Sequence, residues 1–115
     1  MGTLTVGEVA RESGVSGSAV RFYERQGLIV ASRTGGNQRR FDTDAACRIR
    51  VARVAQRVGL TVNEIRDLLA ALPPDPQLAD WQGLHDRLTA EAELRIRDLH
   101  AALDDIGSGR RLCDL

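Results

Sequence analysis

The stretch Gly14–Leu28, which reads GVSGSAVRFYERQGL, decides the fold of this chain of 115 residues. Ser16 is placed to cap a short helix, because its hydroxyl can accept the free backbone N–H groups of the first turn. The residues after it form one apolar side and one polar, positive side, and Gly27 suits the left-handed backbone just past a helix end. This pattern is typical of the second helix of a helix-turn-helix. The alternative is a solvated amphipathic helix in any small domain.

A second helix start signal lies upstream of this stretch. Thr5 and Glu8 have the spacing of a capping box, in which each side chain bonds the backbone N–H of the other residue. Apolar residues follow at helical spacing, and Ser13 with Gly14 ends the segment. The pattern therefore predicts the first helix of the helix-turn-helix.

Beyond the second helix the helical period breaks, and Ile29–Phe41 has the pattern of a β-hairpin. Its centre, Thr34–Asn37, contains glycine and asparagine, which tolerate positive φ. The flanking strands are predicted over Ile29–Arg33 and Gln38–Phe41. They carry three arginines suited to bridging phosphates of one DNA strand without reading sequence: Arg33, Arg39 and Arg40. This predicts a wing; the alternative is a polar surface hairpin without a ligand.

Two further helices are expected after the hairpin. Asp42 or Thr43 is predicted to cap a third helix, which Gly59 ends. A second capping box at residues 61–64 opens a short fourth helix that is predicted to reach about Leu72. The third helix also carries four arginines that extend the basic character of this half: Arg48, Arg50, Arg53 and Arg57.

Three prolines within residues 73–76 mark the clearest boundary in the chain, because proline cannot continue a helix. Beyond this joint one long helix is predicted over residues 78–106. Its apolar residues recur every three or four positions: Trp81, Leu84, Leu88, Ala92, Ile96, Leu99, Leu103 and Ile106. A narrow apolar seam flanked by charge is typical of a two-stranded coiled coil and predicts a homodimer. The alternative is a seam that folds back on its own N-terminal part.

Charge is distributed unevenly, although the net charge is zero. Residues 1–57 carry ten arginines against five carboxylates, and residues 58–115 carry six arginines against eleven. A basic half of +5 joined to an acidic half of −5 favours a polyanion-binding module with a second, different part. All sixteen basic side chains are arginines, which we attribute to genome composition rather than to function.

The composition excludes several classes of protein. Hydrophobic residues at 43% and charged residues at 28% are ordinary for a globular chain, and with 3% aromatic residues the core must consist of Leu, Val, Ile and Ala. No apolar run approaches the ~18 residues of a membrane span and no signal sequence opens the chain, so a cytoplasmic protein without a membrane partner is expected. No nucleophile–base pair, phosphate loop or paired acids are present, so an enzyme is not expected.

Several motifs, in the right order, resemble the MerR family of transcription regulators. Those of the helix-turn-helix and wing are TVGEVA at residues 5–10, VRFYE at residues 20–24 and GNQRRF at residues 36–41. The chain is further similar to the SoxR-type redox regulators in VAQRVG at residues 54–59, in Asp80-Trp81 and in LDDIGSG at residues 103–109. The similarity extends from Leu4 to Ile106.

This resemblance implies a mostly α-helical dimer with two winged helix-turn-helix heads and an antiparallel coiled coil. The expected parts are a DNA-binding domain (1–72), a proline-rich joint (73–77), a dimerisation helix (78–106) and a C-terminal effector-loop remnant (107–115). Such dimers bind a two-fold-symmetric site in double-stranded promoter DNA and bend and untwist it, so that RNA polymerase engages both promoter elements.

The resemblance also implies the residues that meet DNA. Those on the second helix, which would meet the major groove and nearby phosphates, are Ser16, Ser18, Arg21 and Tyr23. Arg21 is expected at a base edge or phosphate, and Tyr23 at a phosphate. Asn37, Arg39 and Arg40 would hold the flanking backbone, and Thr5 could do so through the N-terminus of the first helix.

The C-terminal loop departs from the SoxR pattern. SoxR-type proteins hold a [2Fe–2S] cluster through four closely spaced cysteines, and a cluster of this kind needs about four Cys or His ligands. The corresponding positions here are Asp105, Ser108 and Arg110, and Cys113 is the one remaining thiol. No iron–sulfur cluster, and no other cofactor or metal, is therefore expected.

Three alternatives for the signal remain open. Cys113 would act as a thiol sensor if nearby arginines favour its thiolate, although an unremarkable terminal cysteine explains the same residue. A small apolar ligand would fit between the long helix and the head near Trp81. The third alternative is an architectural DNA-bending protein with no effector.

Overall fold

Five α-helices and three short strands account for most of residues 2–115, the part of the chain that the structure, a computed structural model, describes. The strands are β1 (Thr3–Leu4), β2 (Ala31–Arg33) and β3 (Arg39–Asp42). The helices are α1 (Val6–Ser13), α2 (Gly17–Arg25), α3 (Ala45–Val58), α4 (Val62–Ala70) and α5 (Leu78–Ile106), and a 3₁₀ turn follows over Leu112–Asp114. The mostly helical winged helix-turn-helix predicted from the sequence is confirmed.

Local capping begins both helices of the helix-turn-helix. The Thr5 hydroxyl accepts the N–H of Glu8 at 3.2 Å, and the Glu8 carboxylate accepts the N–H of Thr5 at 3.0 Å. The Ser16 hydroxyl accepts the N–H of Ala19 at 3.1 Å. Gly14 ends α1 with φ of 77°, a left-handed conformation that glycine adopts without steric cost. The predicted caps are therefore present, and they set the turn between the two helices.

The wing is part of a three-stranded antiparallel sheet of order β1-β3-β2. Asn37 has φ of 63° in the hairpin turn and donates its N–H to the carbonyl oxygen of Thr34 at 2.9 Å. The strand β2 begins two residues later than predicted, because Leu28 and Ile29 are buried in the core instead. The strand β1 was not expected from the sequence.

The start of α3 differs from the prediction. The N-cap residue is Asp44, whereas Asp42 lies at the end of β3, opposite Thr3. The Asp44 side chain makes no capping hydrogen bond and accepts instead from Arg48 Nε at 2.8 Å. The capping box at the start of α4 is present, and α4 ends at Ala70, before the expected Leu72.

A single core joins the head elements. Its fully buried side chains are aliphatic apart from one phenylalanine: Phe41, Ile49, Ile65, Leu69, Val9 and Val20. They come from α1, α2, β3, α3 and α4, so the wing and both helices of the helix-turn-helix share one set of packing contacts. This fixes the wing beside α2.

The long helix α5 divides its apolar seam between two environments. Leu84 is buried, and Trp81 and Leu88 are half-buried against the core of the head. Further along, four seam residues point to solvent with 52%, 64%, 64% and 58% exposure: Ile96, Leu99, Leu103 and Ile106. The first third of the seam therefore folds back on its own head, while the last part forms an exposed apolar ridge, defined here by these four residues.

The described chain is elongated, with extents of 65 × 30 × 20 Å, since α5 projects beyond the head. Within residues 2–115, no helix has the length and the apolar character that crossing a membrane requires.

Candidate nucleic-acid interface

A basic cleft of about 310 Å³ lies between the N-terminus of α1, the helix α2 and the wing. Its lining residues are Thr5, Val6, Gly7, Arg21, Arg33, Asn37, Gln38 and Arg39. Five of these were predicted to meet DNA: Thr5, Arg21, Asn37 and Arg39 from the family resemblance, and Arg33 from the pattern of the wing. The structure thus brings together residues that are up to 34 positions apart in sequence.

Helix geometry adds to the positive character of this cleft. The first backbone N–H groups of a helix have no intrahelical acceptor, and the helix dipole places partial positive charge there. In α1 these groups belong to the turn that begins at Val6, which lines the cleft. A helix N-terminus beside guanidinium groups is an anion-binding arrangement.

Two arginines of the cleft face each other across the wing. Arg33 on β2 lies directly opposite Arg39 on β3. Like charges opposite each other in an antiparallel pair destabilise a sheet unless an anion neutralises them. Arg33 also donates to the backbone oxygen of Asn37 at 3.2 Å, which supports the left-handed turn residue. Arg33 therefore belongs to the basic cleft, and the strand register places it opposite Arg39.

Arg39 has a second charged neighbour on α2. Its Nε lies 3.0 Å from the Glu24 carboxylate, although its N–H does not point at an acceptor. This contact holds the wing against α2 by charge rather than by an aligned hydrogen bond. Arg39 is also one of the residues that line the cleft.

The other predicted contact residues are in three different environments. Ser18 and Arg21 on α2, and Ser16 at its N-cap, are exposed, as a groove-facing surface requires. Arg40 is half-buried and donates to the side-chain oxygen of Gln38 at 3.3 Å. Tyr23 is a core residue whose hydroxyl lies 3.3 Å from the side-chain oxygen of Gln56 on α3. A phosphate contact by Tyr23 would compete with this hydrogen bond.

Three arginines of the head have a structural role that the sequence did not indicate. Each donates to a backbone carbonyl at the end of another helix: Arg50 to Glu12 of α1, Arg66 to Gln26 beside α2, and Arg48 to Leu69 of α4. Cations are favourable at helix C-termini because of the dipole. Arginine charge in the head is thus partly used for contacts within the protein. Arg53 and Arg57 are exposed on α3.

Both capping boxes shift the ionisation of their glutamates. The hydrogen bonds from the backbone and hydroxyl of Thr5 hold the pKa of Glu8 below its usual 4.5, and the charges of Arg11 and Arg40 act in the same direction. Thr61 lowers the pKa of Glu64 in the same way, with a contribution from Arg95 on α5. A carboxylate that accepts hydrogen bonds in its charged form releases its proton more readily.

The C-terminal loop does not suit an iron–sulfur cluster. Arg110 lies 3.6 Å from the Asp105 carboxylate, and the Ser108 hydroxyl donates to the Asp105 carbonyl oxygen at 2.7 Å. These three positions bond to one another, and none offers a thiolate or an imidazole. Among residues 2–115, no three His, Cys, Asp or Glu side chains lie together as ligands for a metal ion.

The two predicted effector residues are far from equivalent. Cys113 is exposed, and its neighbour Arg111 is paired with Asp114 at 2.8 Å, so the arginine charge is already engaged. Trp81 packs against the head core. A groove of about 270 Å³ does lie between α4 and α5, but its lining residues, among them Leu68, Leu72 and Leu84, do not include Trp81.

The fold and the basic cleft define a winged helix-turn-helix DNA-binding protein. Comparison with known proteins identifies its family: residues 4–72 match the MerR HTH family of regulatory proteins, and residues 47–108 match the MerR DNA-binding family. The chain belongs to the MerR family and is a DNA-binding transcription regulator, not an enzyme.

Individual relatives agree with this assignment. The chain is 36% identical to an HTH-type transcriptional activator SoxR homolog of Chromobacterium violaceum, over 92% of this chain and 73% of that protein. A MerR-family regulator of Listeria monocytogenes superimposes with a TM-score of 0.60 and 31% identity, over 90% of this chain and 80% of that one.

A second similar structure is DNA-bound. It is HiNmlR, a MerR-family regulator lacking the sensor domain, in complex with promoter DNA. The TM-score is 0.59 with 20% identity, over 93% of this chain and 86% of that chain, and it is a likeness of fold.

Proposed function

We propose that this protein is a homodimeric regulator that binds a two-fold-symmetric promoter site with its two winged helix-turn-helix heads and distorts the DNA between them. The observation that carries the proposal is the convergence of three guanidinium groups and a helix N-terminus in one cleft beside the exposed face of α2. In this arrangement the cleft binds a backbone phosphate, and α2 enters the major groove.

The division of labour within the interface follows from the chemistry of each group. Arg33 and Arg39 are held on the wing, where they neutralise phosphate charge and fix the register of the head. On α2, Arg21 reaches either a phosphate or the acceptor edge of guanine. Ser16 and Ser18 are short, exposed donors near the start of the same helix. Asn37 and Arg40 support the flanking backbone contact.

Dimerisation is supported by the exposed apolar ridge on α5. The 29 residues of this helix span about 43 Å at the ordinary rise per residue. Four large aliphatic side chains on one stripe have no partner among the described residues, and a second copy running antiparallel would cover them. Two heads carried on such a pair present two copies of α2 to one duplex.

We further propose that the protein distorts its promoter for RNA polymerase and works without a [2Fe–2S] cluster. The distortion is inferred from the family resemblance. The absence of the cluster is supported by the donor set of the loop, where Asp105, Ser108 and Arg110 stand at the positions expected to carry cysteines and Cys113 is the one thiol. Iron and acid-labile sulfide analysis of the purified protein should find neither, and a stoichiometric amount of both would contradict this part.

The central test is selection of duplexes from a random-sequence library by the purified protein. The selected sequences should contain an inverted repeat, and the complex should have the mass of two chains on one duplex. Fluorescence energy transfer between the duplex ends should report bending, which a duplex with the repeat scrambled does not show.

Selection of no common sequence, with weak and uniform coverage of all duplexes, would favour an architectural DNA-bending protein instead. Binding of single chains to half-sites would contradict the dimer. The selected sequences, the mass of the complex and the energy transfer therefore test sequence recognition, dimerisation and DNA bending separately.

A further inference from the structure

The end of the recognition helix α2 is held by a side chain from a different helix. Arg66 on α4 donates its Nε–H to the backbone carbonyl oxygen of Gln26 at 2.7 Å. Gln26 is the C-cap residue of α2, and the last carbonyls of a helix lack intrahelical donors. A guanidinium at this place also complements the negative end of the helix dipole. The contact joins residues 40 positions apart.

A hydrogen bond within α4 also orients the guanidinium of Arg66. Its Nη1 donates to the side-chain oxygen of Asn63 at 2.8 Å, one turn earlier on α4. The side chain then passes Gly27, where an added Cβ would lie 3.2 Å from Nε of Arg66. Gly27 also has φ of 77°. The turn after α2 therefore leaves space for this one arginine.

The helix that carries Arg66 is a firm support. Ile65 and Leu68 of α4 are buried in the head core. Arg48 of α3 donates to the carbonyl oxygen of Leu69 at 3.2 Å, and Glu64 lies 3.9 Å from Arg95 of α5. Helix α4 is thus tied to both α3 and α5, and it is the part of the head against which α2 can be oriented.

We propose that Arg66 is a positioning residue for DNA recognition: it sets the angle of the C-terminal half of α2 and thereby the position of Arg21. The inference rests on the proposed entry of α2 into the major groove. Arg66 itself is half-buried and bonded to the protein, so it acts through α2 rather than by touching DNA.

Three variants test this role. Arg66→Met keeps the length of the stem beside Gly27 but removes the donors, Arg66→Lys restores a charged donor, and Arg97→Met is the control for loss of one exposed charge on α5. The probes are a duplex selected by the wild-type protein and a scrambled duplex of equal composition. Binding of both is measured over a range of salt concentrations.

The expected results distinguish a positioning role of Arg66 from a direct charge contact with DNA and from a loss of folding stability. Arg66→Met should lower affinity for the selected duplex about tenfold, because a smaller fraction of the free protein then holds α2 in the binding-competent position, with unchanged affinity for the scrambled duplex. The slope of log affinity against log salt should stay the same, because no phosphate contact is lost. Arg66→Lys should recover most of the affinity, and Arg97→Met should behave as wild type.

Asn63→Ala provides a milder variant if Arg66→Met folds poorly. It leaves the bond to Gln26 in place and removes the hydrogen bond within α4 alone, so about a threefold loss on the selected duplex is expected. In both variants the amide resonances of Gly27 and Leu28 should shift in the free protein.

Three results would overturn the inference. They are equal binding by Arg66→Met and wild type, a salt slope reduced by about one, and equal losses on both duplexes. A wild-type protein that selects no duplex would contradict the proposed function and this inference with it. A selective wild type with an equally selective Arg66→Met contradicts only the inference.

Discussion

Individual arginines in the head have distinct tasks that depend on what surrounds them. Arg33 and Arg39 face each other across the wing without a complete set of acceptors, whereas Arg48 and Arg66 are satisfied by carbonyls of neighbouring helices. The first pair is available to phosphate, and the second stabilises the fold. The residue type is the same, and the local donor and acceptor geometry decides the role.

Arg33→Gln should separate these two tasks. Binding to the selected duplex should weaken by roughly tenfold, and the salt slope should fall by about one, because a phosphate contact is lost. The free energy of unfolding should change little, because the lost hydrogen bond from Arg33 to Asn37 is offset by the removal of one of two like charges that face each other. Salt-dependent binding and urea unfolding measure the two quantities, and a marked loss of stability at unchanged salt slope would contradict the assignment.

Replacing each of two glycines by alanine should change the free energy of unfolding in opposite directions. Gly27→Ala should destabilise the protein by about 1 kcal/mol or more, because φ is 77° and the new Cβ would crowd Arg66. Gly83→Ala, within α5 at a position where the new Cβ would meet no neighbouring atom within 4 Å, should stabilise by about 0.5–1 kcal/mol, because alanine favours the helix. Urea unfolding of both variants checks the signs, and two changes of equal sign would contradict this explanation.

At the scale of elements, the two capping boxes couple helix formation to pH. The carboxylates of Glu8 and Glu64 accept the N–H of Thr5 and Thr61 at 3.0 and 2.9 Å. Their pKa values are depressed in the folded protein through these bonds. A carboxyl group whose pKa is lowered by folding stabilises the protein at pH values above its ordinary pKa. That contribution disappears as the pH falls through the lower pKa of the folded state.

The free energy of unfolding should therefore decline as pH falls below about 4.5, the ordinary value for both groups. In the double variant Glu8→Gln with Glu64→Gln this decline should be shallower, because glutamine still caps but does not titrate. Glu93→Gln, on the exposed side of α5, serves as the matched control. Identical slopes for the wild type, the double variant and Glu93→Gln from pH 4.5 down to about pH 3, where ordinary carboxyl groups are mostly protonated, would contradict the linkage.

At the scale of the whole molecule, α5 connects two environments. Its first turns, with Leu84 buried, complete the core of the head. Its last turns carry the exposed apolar ridge, which lies outside that core. In the proposed dimer, one helix is thereby both part of the head and the surface that meets a second copy of the chain. The head does not depend on the ridge for its own packing.

Leu99→Asp combined with Leu103→Asp should therefore dissociate the proposed dimer into monomers while the head remains folded. The dimer dissociation constant should rise by roughly a hundredfold or more, since four carboxylates would enter one apolar interface. Val30→Asp, an equally polar change at a position that is 78% exposed on the head, should leave the mass unchanged. Light scattering over a range of concentrations measures this, and an unchanged dimer in the double variant would contradict the ridge as its interface.

Local signals in the sequence predicted most of the helical framework. The capping residues Thr5, Ser16 and Thr61 act within three positions along the chain, and so their hydrogen bonds can be anticipated from spacing alone. The wing turn and the long helix follow from equally local patterns of glycine and apolar residues. The exception was the start of α3, where the Asp44 carboxylate bonds Arg48 instead of the backbone.

The contacts that complete the candidate site depend on residues distant in sequence. The pairing of β1 with β3, the burial of Tyr23 against α3 and the hydrogen bond from Arg66 to Gln26 link segments that are 33 to 40 positions apart. No local pattern encodes such partners, because the sequence around an arginine is the same whether its side chain contacts a phosphate or a backbone carbonyl from a distant segment. The sequence alone determined the helices, their caps and the wing, and the tertiary structure decided which arginines remain available to DNA.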